Sequence, residues 1–204
     1  MKIGKVEMTG GFFLLFAWLN YMDRQFVVPL AVAGCLMHEL GHYFMIRTVG
    51  GDIKVVRLTA VGAEMAVSRP LGYWQEGISA LAGPAVNLVL AQIFCTWEWG
   101  RTFAGMNLVI ALFNLVPIGR LDGGRALYCT LALLTGPDWA ARTGWWLDII
   151  FTAFLTGFGL IVVGIGGNIT LLLVAVWLAA ALSKPNGRKR KISRKGLASS
   201  IKVG

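Results

Sequence analysis

Charge is what this chain has least of. Asp, Glu, Lys and Arg make up 14% of its 204 residues, against 56% apolar, where a soluble domain carries about a quarter charged residues. Apolar runs recur along the whole length, which excludes a soluble domain on a single anchor. Cysteine is sparse: Cys35, Cys95 and Cys129 are scattered in apolar surroundings, a pattern of packing residues and not of a disulfide framework. Histidine is rarer still, with two in the chain, and the acids number ten. Internal repeats are missing, as is any stretch for an appended soluble domain. The opening MKIGKVEMTGGFFLLFAWLNYMDR has the basic start and apolar core of a signal peptide but no small-residue cleavage site. It reads as a retained first helix.

What is present is six hydrophobic segments, at about 6–22, 26–45, 78–97, 102–117, 144–164 and 169–183. A crossing helix needs roughly 20 apolar residues, so the first, fourth and last read as tilted or partly re-entrant. Tryptophans gather where segments end (Trp18, Trp74, Trp97, Trp99, Trp139, Trp145, Trp146), as interfacial aromatics do. The expected fold is an all-α polytopic membrane protein with about six transmembrane helices in a lipid bilayer. Positive charge orients it: with the N-terminus inside, 17 of the 19 Lys and Arg lie on the inner side, and only Arg24 and Arg101 outside. Both termini are therefore expected in the cytoplasm of a multi-pass cell-membrane protein. The net charge of +9 does not point to nucleic acid, because seven basic residues crowd into KPNGRKRKISRKG (184–196) after the last segment. Such clusters set orientation and touch anionic lipid. Residues 1–183 form the expected membrane domain, and 184–204 a basic cytoplasmic tail.

Between the second and third segments, GGDIKVVRLTAVGAEMAVSRPLGYW (50–74) leaves the helical pattern. Gly50-Gly51 ends the helix, IKVVRL and AEMAV read as short strands about a Val61-Gly62 turn, and Pro70-Leu71-Gly72 closes the region. A small membrane-associated β-hairpin over about 50–72 is expected, with an exposed strand edge within 53–67 beside the second segment's inner end. Later, the small residues of TGFGLIVVGIGGN (156–168) fit close helix packing in lipid.

Both histidines fall in one greasy run, HELGH at 38–42 within QFVVPLAVAGCLMHELGHYFMIRTVG. Positions i and i+4 of a helix project from one face a turn apart. His38 and His42 can therefore each turn a ring nitrogen to one Zn2+, with Glu39 beside them to take a proton from water the metal activates. The competing account is a buried polar cluster between helices, but ionisable groups at membrane depth are costly and mark functional sites.

A catalytic zinc site takes three protein ligands and leaves a position open, and no third histidine exists. Cys35, one turn before His38, is a geometric candidate, although packing is the commoner role of such a residue. Among the carboxylates, Asp23 and Glu98 belong to outer turns, and Asp148 in WWLDII reads as an interfacial helix start. HELGH lies about 13 residues, or about 20 Å, from the outer start of its helix, near the inner end. The fourth segment runs in the same direction and ends in NLVPIGRLDGGRAL (114–127), which brings Asp122 to the same face and level. Pro117, Gly119 and Gly123-Gly124 break the helix there, tolerated at membrane depth only where backbone is buried or lines a wet cavity. Asp122 is the expected third ligand.

With these residues the chain resembles the site-2 protease family of intramembrane zinc metalloproteases. The resemblance is carried by HELGH and by N-x-x-P-x-x-x-x-D-G on a later segment (Asn114, Pro117, Asp122, Gly123). ALAGPAVNLVLA (80–91) is similar to the family's G-P-x-x-N helix through Gly83, Pro84 and Asn87. The short opening, six segments and small size look most like the stage IV sporulation protein FB branch. The resemblance implies that His38, His42 and Asp122 hold Zn2+, that Glu39 is the general base, and that Asn114 and Pro117 position substrate. It implies a metalloendopeptidase cutting within or next to a membrane segment of a membrane protein or membrane-associated peptide, such as a pro-sigma factor in sporulation. Inhibitory membrane partner proteins would accompany it. One departure is that branch members commonly carry a nucleotide-sensing CBS domain after the last helix. A basic stretch of about 20 residues follows here, too short for a domain, and no PDZ insertion is seen. The rival reading is a non-catalytic, membrane-embedded zinc-binding relative acting as a binding or chaperone module, which would not need Glu39. A zinc carrier or channel would spread its ligands across the bilayer.

Overall fold

The computed structural model describes residues 2–3, 6–8, 21, 23, 27–59 and 62–183. Two short strands come first, β1 (Lys2–Ile3) and β2 (Val6–Met8). Residues 6–8 were expected to begin the first membrane segment; they form a strand instead, in which a glutamate between two apolar residues suits a two-residue period. Residues 9–20 of that expected segment lie outside the described residues, as does the basic tail. Helix α1 (Val27–Thr48) starts where Asp23 accepts the Val28 N–H at 2.8 Å. It ends at Gly50, whose φ of 85° few other residues adopt. Gly50 and Gly51 return their N–H groups to the Arg47 and Ile46 carbonyls at 3.2 and 2.7 Å, the paired bonds of a glycine-terminated helix.

The hairpin forms as β3 (Ile53–Thr59) and β4 (Gly62–Val67), antiparallel, with Val56 opposite Met65 and a register shift between Ile53 and Val55. The edge expected within 53–67 narrows to one strand. β2 runs parallel to β3, with Val6 opposite Val56 and Met8 opposite Leu58, and the sheet order is β1-β2-β3-β4. β3 is thus an interior strand, and among the described residues the open edge of the hairpin is β4.

Helix α2 (Tyr73–Phe94) starts earlier than the segment expected at 78, because the polar turn Gln75-Glu76 hid it from a hydropathy reading. Gln75 caps the start: its Oε1 accepts the Gly72 N–H at 2.9 Å, and its Nε2 donates to the Val49 carbonyl at 2.8 Å. A short 3-10 turn (Glu98–Gly100) leads into α3 (Arg101–Asn114). After a break at 115–121 comes α4 (Asp122–Thr135), a helix absent from the six expected segments. Its DGGR start, with glycines that weaken a helix, concealed it.

The contacts of α3 and α4 step along α2 in order. Phe103 meets Phe94 at 5.0 Å between ring centroids, Asn107 meets Asn87, Arg125 reaches toward Glu76, and Tyr128 faces Tyr73. Together α3 and α4 make one interrupted rod antiparallel to α2, with the break beside the middle of α2. The break is tight: a Cβ at Gly123 or Gly124 would overlap the Leu115 or Ile118 carbonyl, so only glycine lets the loop fold back onto the first turn of α4.

The chain divides into two compact units, Met1–Leu147 and Asp148–Gly204. The first holds the sheet, α1 to α4 and the start of α5 (Pro137–Gly164), in which α2 packs against α1, α3 and α4. The second holds the remainder of α5 and α6 (Thr170–Ser183), whose first turn is capped by Asn168 Oδ1 on the Thr170 N–H at 3.0 Å. Within it Gly159 lies against α6, where a Cβ would stand 3.1 Å from Leu172 Cα. Because α5 begins at Pro137, a favoured first helical residue, Asp148 sits inside a helix and not at its start as expected. Two described helices, α2 and α5, are long and apolar enough to cross a membrane.

Candidate metal centre

In α1 the four-residue spacing does what helical geometry requires, and both histidines face inward. His38 and His42 are 5% and 7% exposed, with ring centroids 4.7 Å apart. The break between α3 and α4 delivers Asp122, also 7% exposed, to the same point. Asp122 Oδ2 lies 3.0 Å from His38 Nε2 and 3.1 Å from His42 Nε2, and the two Nε2 atoms are 3.1 Å apart. Among the described residues these three form the cluster able to hold a metal ion. The site lies halfway along α2, beside Gly83.

The far sides of both rings decide what the near sides can be. His38 Nδ1 faces Asn87 Oδ1, and His42 Nδ1 faces the Ser79 carbonyl at 2.7 Å. A carbonyl only accepts, so His42 Nδ1 carries a proton, and in the neutral ring His42 Nε2 is the lone pair. For His38 the same follows from the Asn87 amide. Its Nδ2 donates to the Gly34 carbonyl at 3.1 Å and to Asn107 Oδ1 at 2.6 Å, which leaves its oxygen for His38. Turning the amide over would set oxygen against oxygen, and an unpaired buried polar group costs about 1–3 kcal/mol. With both rings neutral, two imidazole lone pairs and a carboxylate oxygen converge within 3.1 Å, an arrangement that a shared cation would satisfy. Two nitrogens and one oxygen, each ring anchored through its other nitrogen, is a donor set that fits Zn2+.

Other groups complete the site. Arg125 Nη1 donates to Asp122 Oδ1 at 3.2 Å, which keeps that oxygen away from the histidines, and Arg125 Nη2 stands 3.8 Å from Glu76 Oε1. Gly83 leaves space above the donors, where a Cβ would stand 2.8 Å from His38 Nε2 and nearer still to His42 Nε2. Glu39 is half-buried and one residue on from His38. Cys35 is exposed and outside the cluster, so its candidacy as a ligand ends. Asn114 donates its amide nitrogen to the Ile110 carbonyl of its own helix at 2.9 Å, and Pro117 lies in the break. The sequence reading did not assign Ser79, Asn107 or Arg125 a place here. A serine that contributes only its backbone leaves no sequence signal; a polar residue inside an apolar run, such as Asn107 in TFAGMNLVIALF, does.

No family model matches the chain. It is 34% identical over 120 residues to a protein of Synechocystis sp. with a zinc-metalloprotease name, covering 52% of this chain and 31% of that one. It is 29% identical over 164 residues to the zinc metalloprotease of Methanocaldococcus jannaschii, covering 73% and 46%. A Mycobacterium tuberculosis protein with a zinc-metalloprotease name, Rip3, is 28% identical over 199 residues, covering 85% and 48%. The chain thus spans about half the length, or less, of these curated relatives. Among solved structures, the site-2 protease from Methanocaldococcus jannaschii superposes with a TM-score of 0.67 at 22% identity, over 91% of this chain and 94% of that one. The fold is that of a site-2 protease.

Proposed function

We propose that the chain is a zinc-dependent intramembrane endopeptidase of the site-2 protease type. The observation that carries this reading is the donor set: both histidines anchored through Nδ1, with both Nε2 atoms meeting Asp122 Oδ2 and an acid next in sequence. His38, His42 and Asp122 would hold Zn2+, which would supply Lewis acidity and make water a better nucleophile. Glu39 takes up the proton and returns it to the leaving amine. Asn114, the last residue of α3, and Pro117, within the break, position the substrate backbone. A non-catalytic binding module would leave Glu39 without a task. Purified protein in detergent is expected to cleave a membrane-tethered test peptide when zinc-loaded and to stop when zinc is chelated. Cleavage that survives chelation would refute the reading.

In this reading the chain crosses the membrane six times with both termini cytoplasmic, α3, the break and α4 together making one of the crossings, and the site lies within the bilayer. The substrate is a membrane protein or membrane-associated peptide, and inhibitory membrane partners regulate access. The sporulation branch and a pro-sigma substrate rest on the resemblance of the short opening and segment count; none of the relatives above bears a sporulation name. A helical substrate hides its carbonyls in its own hydrogen bonds and must be opened before cleavage. The β4 edge offers replacement partners by strand addition. Met65 and Ala66 are neighbours on β4, so one of the two points its N–H away from β3. Proline at the outward position is expected to slow cleavage several-fold while zinc content holds. Wild-type cleavage by both proline variants would remove strand addition from the mechanism.

A further inference from the structure

Asn87 and Asn107 are both 0% exposed, on different helices, and hydrogen-bonded to each other at 2.6 Å. The chain of donors and acceptors through them has one consistent direction. It starts at the Phe103 carbonyl, which can only accept; Asn107 Nδ2 donates to it at 2.8 Å. That fixes Asn107 Oδ1 toward Asn87, where it accepts from Nδ2. Asn87 Nδ2 gives its other hydrogen to the Gly34 carbonyl at 3.1 Å. Both hydrogens of that amide are then committed, and Asn87 Oδ1 can only accept from His38 Nδ1. Asn107 also packs under Gly34, where a Cβ would stand 3.3 Å from Asn107 Oδ1, so the amide has little room to turn.

We propose that Asn107, which touches none of the three metal donors, is a positioning residue for the metal centre. Through Asn87 it sets the tautomer of His38, keeping Nδ1 protonated and the Nε2 lone pair directed at the metal. The inference rests on the zinc reading of the site and goes beyond it: α3, which carries no ligand in this reading, governs the affinity of a ligand on α1. Outer-shell partners of metal-bound histidines typically change metal affinity 10- to 100-fold when lost. For Asn107 the expected loss is about tenfold, the low end of that range, because the Gly34 carbonyl still holds one side of the Asn87 amide.

The test is a zinc competition titration against a chelator on purified, detergent-solubilised full chain, with 15N spectra of His38 recorded on zinc-free protein. Asn107→Leu removes the acceptor and is expected to weaken zinc about tenfold and to mix the two His38 tautomers. Asn107→Asp keeps an oxygen acceptor and is expected to retain the single Nδ1-protonated tautomer. If the leucine variant does not fold, Asn107→Ala removes the same acceptor and is read the same way. The deciding arm is the Asn87→Ala background, where no amide links Asn107 to His38. There Asn107→Leu is expected to have no further effect on zinc affinity, which a general packing role would not predict. Wild-type affinity and one tautomer in Asn107→Leu, or an undiminished loss in the Asn87→Ala background, overturns the positioning role. Failure of the wild-type protein to bind zinc overturns the zinc reading itself, and the two failures are told apart in the same titration.

Discussion

Glu39→Gln is expected to lose at least about a hundredfold in turnover on a membrane-tethered substrate while holding as much zinc as wild type. The substitution keeps the size and polarity of the side chain and removes only its basicity. General-base catalysis contributes about 10²- to 10⁴-fold, and Glu39 is the acid next to the donors without being one of them. Zinc binding should be untouched because His38 and His42 are anchored from behind by Asn87 and Ser79, not by Glu39. Turnover and zinc content measured on the same preparation separate the effects. A glutamine variant that cleaves within a factor of a few of wild type would move the base elsewhere and reopen the binding-module account.

Asp122→Ala is expected to have the larger effect on the metal. Losing an outer-shell partner costs about 10- to 100-fold in affinity; losing one of three ligands must exceed that, so the variant should weaken zinc by more than about a hundredfold. Two further consequences follow from geometry. Arg125 loses the carboxylate it contacts at 3.2 Å, and the Nε2 atoms, 3.1 Å apart, lose the anion that completes the triad. Zinc stabilises a protein that binds it only when folded, by about 2.7 kcal/mol at a hundred times the dissociation constant. Wild type should therefore show a zinc-dependent rise in thermal midpoint, and the alanine variant none at the same concentration. An equal rise in both would remove Asp122 from the ligand set.

The two histidines and their partner aspartate were legible in the sequence because each breaks a local rule. Two imidazoles and a carboxylate in an apolar run are costly, and glycines and a proline in a membrane segment interrupt it for a reason. The hairpin was legible from alternation and turn residues. Less visible was whatever depends on partners far along the chain. β2 carries three residues of strand pattern, too few to outweigh the hydrophobic stretch after it, and its pairing with β3 is set by the fold. α4 was hidden by its glycines, and the early starts of α2 and α5 by polar first turns. That both histidine rings are anchored from α2 was not legible from α1 alone, because Ser79 and Asn87 lie far along the chain.

The parallel pairing of β2 with β3 bears on how the chain is threaded. A sheet is bonded strand to strand, so β2 and β3 cannot be parted by a lipid layer. Whatever path the backbone takes after Met8, it must come home by Ile53 to the compartment it left. Any bilayer traversed between those two residues is traversed an even number of times. β2 and the hairpin then share one side of any bilayer the chain crosses, a parity constraint independent of where the lysines and arginines fall.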